Sequence, residues 1–204
     1  MNRLDYFFEN LKNGDVLGFH YKKWYYIIGR IIFFVSYIIN PARKKLFKIE
    51  HVGQICNVEK EDDYITFTFG ESTGHDKGKV TNRYILQKVG DKYLIDSRFR
   101  NKGISLYLLP CVRKLTLEEN KILNDFWKQK EKYDAFDAVG SVDWIQRLFK
   151  LFRTKKVDAL NNFCSGEVEA AFNLIGFKNK DSLPTPSEII NQSYINKAGI
   201  VKIC

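Results

Sequence analysis

The sequence offers no CxxC pair and no zinc-like spacing among its four cysteines, Cys56, Cys111, Cys164 and Cys204, so no metal site and no other cofactor is expected. It has no glycine-rich phosphate loop, no internal repeat and no low-complexity tract. No convincing linker divides it, which leaves one domain over residues 1–204. The first residues are mixed and polar, with Asp5 and Glu9, and lack signal-peptide architecture. A cytoplasmic, reduced protein is the expectation, with delivery by lysis or in a virus particle as the other route. The most apolar run, residues 24–39, is short of the ~20 residues that span a bilayer. Arg30 also sits at its middle, where a charge is costly in lipid. These two facts exclude a spanning helix there. No helix-turn-helix, zinc or RNA-binding signature is present, so no specific nucleic-acid partner is expected.

What is present is the composition of a folded protein: 45 % hydrophobic and 15 % aromatic residues over 204 positions. The formal net charge is +9 and the pI about 9.3. That balance favours an anionic partner, such as a membrane face or an acidic polymer, or serves solubility alone. Two basic-apolar segments carry the partner expectation. Residues 24–45 combine the apolar run with Lys22 and Lys23 before it and Arg43, Lys44 and Lys45 in its tail. They read as a core or lid helix, with a helix in the membrane interface as the alternative. Residues 137–160 read as a helical insertion with Trp144, Ile145, Leu148, Phe149 and Phe152 on one side. Arg147, Lys150, Arg153, Lys155 and Lys156 give it a basic side, read first as a solvated face and second as a contact for anionic lipid or polymer.

The first half of the chain is mostly β. Residues 4–11 read as a short helix, and 15–19 as a first strand after the Asn13-Gly14 turn signal. Strands follow at 49–56, 64–69, 83–87 and 103–109. An acidic turn is expected at 59–63, and a polar loop holding His75 at 72–79. Asp91-Lys92 marks a turn between short strands. Thr116-Leu117-Glu118-Glu119 is a capping-box signature. The helix it opens carries Ile122, Leu123, Phe126 and Trp127 on one stripe and is expected to run to about Tyr133.

Three residues then carry chemistry. Cys164 opens a helix whose apolar positions, Val168, Ala171, Phe172 and Ile175, fall at helical spacing before Gly176. A thiol there faces unpaired backbone N–H groups and the positive end of the helix dipole, which favour the nucleophilic thiolate. By itself a small apolar cysteine is more often a core residue. His51 shares a strand face with Ile49 and Ile55, where a histidine needs a polar partner and is more often structural than catalytic. Glu71 falls on the apolar face of Ile65, Phe67 and Phe69, at the end of the next strand. Consecutive strands usually pair, at about 4.8 Å spacing, which allows His51 and Glu71 to touch. A cysteine, a base and a group that orients the base are the three parts of nucleophilic thiol chemistry.

In order, the chain reads Gly14-Asp15-Val16-Leu17, His51-Val52-Gly53, Phe69-Gly70-Glu71, Lys132-Tyr133-Asp134, Phe163-Cys164-Ser165-Gly166-Glu167-Val168 and Pro186-Ser187-Glu188-Ile189. This succession resembles the circularly permuted papain-like hydrolases of the YiiX type, relatives of the NlpC cell-wall peptidases and the lecithin:retinol acyltransferases. The resemblance spans almost the whole chain. It implies an α+β permuted papain-like fold: an antiparallel sheet or small barrel carries the histidine and the carboxylate, packed against helices with the nucleophilic cysteine at a helix N-terminus. It implies Cys164 as nucleophile, His51 as base, Glu71 as the group orienting His51, and Tyr133 near the active site in an oxyanion or substrate role. Gly166 departs from the family, which usually has glutamate directly after Cys-Ser. The long segments after Gly14-Asp15 and after Tyr133 depart from it as well, and they put the substrate in question.

The resulting expectation is a cysteine hydrolase that cleaves an amide through a thioacyl-enzyme, acting on a peptide or a peptidoglycan-like substrate. A lipid acyltransferase or thioesterase at a membrane surface is the first alternative, supported by the two basic-apolar segments. A non-catalytic structural or virion protein with the same fold is the second.

Overall fold

The computed structural model describes residues 3–21, 49–73, 78–90, 92–96, 99, 103–129, 164–178, 186 and 188–203. The apolar-basic segment 24–45, the loop around His75, Tyr133 and the basic segment 137–160 lie outside the described residues.

The architecture is α+β, built on a curled antiparallel sheet that forms a half-barrel. A first helix, α1 (Arg3–Asn10), precedes strand β1 (Val16–Tyr21). Strands β2 (His51–Lys60), β3 (Tyr64–Thr73), β4 (Gly78–Val89) and β5 (Lys92–Ile95) follow as consecutive antiparallel neighbours. Strand β6 (Ile104–Leu109) returns to the other side of β1, and β7 (Val201–Lys202) extends that edge. The sheet order is β5-β4-β3-β2-β1-β6-β7. Helices α2 (Leu117–Lys128) and α3 (Cys164–Leu174) complete the described body, with two 3-10 turns at Ile189–Asn191 and Lys197–Gly199.

The period-two alternation of the strands divides the interior into two apolar clusters. One gathers Leu17, Phe19, Ile55, Ile65, Phe67, Phe69, Leu86 and Leu106 with Phe7 and Leu11 from the α1 side. The other gathers Val16, Val52, Cys56 and Leu109 with Leu123 and Trp127 of α2 and Val168, Ala171 and Phe172 of α3. Trp127 ties the two layers together. Its indole N–H donates to Gln54 Oε1 at 2.7 Å, and its backbone carbonyl accepts from Thr81 Oγ1 at 2.6 Å.

Helix α2 starts where the capping box places it. Thr116 Oγ1 accepts from the Glu119 N–H at 3.2 Å, and Glu119 Oε2 accepts from the Thr116 N–H at 2.8 Å. The helix ends at Lys128 rather than running on to Tyr133, because Gln129 adopts an extended backbone. Helix α3 ends at Leu174, and Gly176 at φ +85° turns the chain out of it.

Three other expectations are corrected. Strand β2 takes in the first two residues of the expected acidic turn, Glu59 and Lys60, and the turn itself is narrowed to residues 61–63, closed by the Glu61 N–H donating to the Tyr64 carbonyl at 2.8 Å. The strand reaches Lys60 past a bulge in which Asn57, at φ +52°, and Val58 stand against one residue of β3. The Val58 N–H so displaced donates to Asn13 Oδ1 at 2.8 Å. The polar loop at 72–79 is shorter than expected, since Ser72↔Lys79 and Thr73↔Gly78 still pair. Ile49 precedes β2 and packs in the cluster below α3, not on the face of His51 and Ile55.

Candidate active site

Strand register sets the histidine and the carboxylate. Gly53 stands directly opposite Glu71, so His51 lies diagonally one pleat further along the same face. The two long side chains close that diagonal: His51 Nε2 and Glu71 Oε2 are 2.6 Å apart. Glu71 is 1 % exposed. The Phe19 ring lies 5.7 Å from the His51 ring, on the paired strand β1. Gly53 is required here for space. A Cβ on it would fall 2.2 Å from Phe69 Cζ and 2.7 Å from the Gly70 carbonyl.

The helix brings the thiol. Cys164 is the first residue of α3 and is buried in the cluster beneath that helix. The Cys164 sulfur lies near enough to the His51 ring to raise the imidazole pKa. Since Glu71 occupies Nε2, the ring nitrogen left to face the sulfur is Nδ1. The pair thus bridges the two apolar clusters at the start of β2. Burial alone would discharge the imidazole. The Cys164 sulfur and then the Glu71 carboxylate outweigh it and push the His51 pKa up to about 10.

No family model matches this chain, and no curated protein matches it.

The three side chains singled out in the sequence therefore meet, in the series Cys164–His51–Glu71. Tyr133 lies outside the described residues. Among the described residues, no cluster of three or more His, Cys, Asp or Glu side chains is placed to hold a metal ion, and no helix is long and apolar enough to cross a membrane. The other two described cysteines differ from Cys164 in their surroundings. Burial pushes the thiol pKa of Cys56 far up and that of Cys111 up.

Sequence reasoning missed two buried polar features. Asp15 is fully buried: Oδ1 accepts from the Cys111 N–H at 2.8 Å and Oδ2 from the Lys12 N–H at 3.0 Å. Burial pushes its pKa up to about 7 despite those bonds and the charges of Lys12 and Lys60. The Gly14-Asp15 motif thus ties the start of β1 to the chain leaving β6. The second feature is an ion pair, Lys79 Nζ to Glu167 Oε2 at 3.5 Å, joining β4 to the first turn of α3. The position of Glu167, three residues after Cys164, was the available signal. Lys79 carries none, because its sequence neighbourhood reads as a polar loop.

Proposed function

We propose that the protein is a cysteine hydrolase of permuted papain-like architecture that cleaves an amide bond. The observation that carries this reading is the His51 ring, held at one nitrogen by a buried carboxylate and raised in pKa by the sulfur of a cysteine at a helix N-terminus. The chain order of histidine strand, carboxylate strand and later cysteine helix supports the permuted arrangement.

The chemistry follows from the geometry. In the resting pair His51 already holds the Cys164 proton as an imidazolium stabilised by Glu71, which leaves Cys164 a thiolate. The thiolate attacks the carbonyl carbon of the substrate. Negative charge collects on the carbonyl oxygen, facing the Cys164 backbone N–H at the start of α3, where helix donors have no intrahelical acceptor. Collapse breaks the C–N bond, and the imidazolium gives its proton to the departing amine. His51 then takes a proton from water, the hydroxide attacks the thioester, and the Cys164 thiolate leaves with the acid product formed. Glu71 keeps the ring in the tautomer that faces Nδ1 toward the sulfur.

The test is mass-spectrometric labelling of the folded protein with iodoacetamide across pH, with His51→Ala alongside. Cys164 labels near neutral pH before Cys56 and Cys111, and the His51→Ala substitution abolishes that preference. Equal labelling of the three cysteines would overturn the assignment of Cys164. Selective labelling without cleavage in a panel of peptide amides would overturn the substrate class and leave the thiol chemistry standing.

A further inference from the structure

The Lys79–Glu167 pair is unusual in its place. Its side chains are 3 % and 8 % exposed, and Lys79 Nζ also lies 3.7 Å from the centroid of the Phe126 ring. Buried ion pairs are weak stabilisers, since desolvation offsets their attraction and apolar pairs of equal volume often do as well. A buried pair beside the proposed nucleophile therefore asks for a reason other than stability. Helical spacing supplies one. Glu167 is three residues after Cys164, and side chains so spaced are neighbours, about 5–6 Å apart at Cβ. A bare carboxylate at that position would repel a thiolate across a poorly screened interior.

We infer that Lys79 is a positioning residue for the proposed thiol chemistry: it neutralises Glu167 and pins the first turn of α3 to β4, so that Cys164 meets His51 without a neighbouring negative charge. This rests on the reading of Cys164 as nucleophile. Among the described residues, the charged groups that face the thiol region are His51 from β2, Glu71 behind it on β3, Lys79 from β4 and Glu167 from α3 itself. Helix α2 presents Leu123, Phe126 and Trp127 to this cluster, and Glu169 of α3 is engaged by the Tyr194 hydroxyl at 2.9 Å. Among the described residues, the cation paired with Glu167 is Lys79 on β4.

The experiment measures the rate of Cys164 alkylation by iodoacetamide against pH in the full chain and three variants: Lys79→Met, Glu167→Gln and the double substitution. Circular dichroism checks the fold of each. Lys79→Met slows alkylation at pH 7 about tenfold and moves the profile to higher pH, the scale of one unpaired charge at this range. Glu167→Gln moves it the opposite way, because the carboxylate charge beside the thiol is removed while the lysine charge stays. The double variant returns close to the parent profile. A structural role alone predicts loss in both single variants and no rescue. Should Lys79→Met fail to fold, Glu167→Gln still decides, since an unchanged or slower rate there overturns the inference. Unselective labelling in the parent protein would remove the nucleophile reading and this inference together. A selective parent with profiles indifferent to both substitutions removes only this one.

Discussion

His51 makes two contacts with opposite demands: one ring nitrogen is held by a carboxylate, while the other is offered to a sulfur. The charges on both sides, first Cys164 and then Glu71, keep the ring protonated against its own burial. Removing one of them therefore lets the proton leave at lower pH. In Glu71→Gln the amide oxygen can still accept the Nε2–H bond, but the charge is gone. Nuclear magnetic resonance titration of the His51 ring shows a midpoint lower than in the parent by about one pH unit or more, with the fold intact. An unchanged midpoint would mean that some other group holds the imidazolium. Gln54 is a residue of another kind. Its Oε1 takes the Trp127 N–H, while its buried Nε2 has no partner among the described residues.

Elements place these residues, and one glycine shows how tightly. The β2–β3 register stacks the Phe69 ring over Gly53. Gly53→Ala forces a methyl into that ring and the Gly70 carbonyl, and overpacking of this kind costs about 1–3 kcal/mol. Urea unfolding of the variant measures it; a loss below about 0.5 kcal/mol would show that the ring has room to move aside. Features governed by a few neighbouring residues were legible in the sequence. The capping box at Thr116 and Glu119, the buried face of Glu71 and the cysteine at the head of α3 all follow from local chemistry or simple periodicity. Features decided across the fold were not. Lys79 sits in a ladder only because Ser72 opposes it, and it is buried only because Glu167 and Phe126 arrive from two helices. The bulge at Asn57 depends on Asn13, and Ile49 changes cluster because it lies just outside the pairing of β2. Strand spacing permits the contact of His51 with Glu71 without requiring it. The 2.6 Å bond needs the one-pleat offset, which no sequence pattern states.

At the scale of the whole molecule, two buried groups make stability fall as pH rises. The folded pKa of Asp15, about 7, exceeds its unfolded value of 3.8. The folded state therefore binds the extra proton, and stability declines between about pH 4 and 7 at up to about 1.4 kcal/mol per unit. His51, raised from 6.5 to about 10, contributes stability that is full below about 6.5 and is lost as pH climbs toward 10. Urea midpoints across this range decline steadily, and Asp15→Asn flattens the portion between pH 4 and 7. A decline of the same steepness in that variant would assign the effect elsewhere. The order of the elements also has a consequence in time. Most of the sheet and all of α2 lie between His51 and Cys164 in the chain. Synthesis at about 5–20 residues per second delivers the strands of the histidine and the carboxylate several seconds before the cysteine helix. A nascent chain thus holds the proposed base with no thiol beside it, and a chain whose later portion has come loose holds the thiol without His51. The proposed pair is a late product of folding, and on that reading the growing chain is spared its own nucleophile.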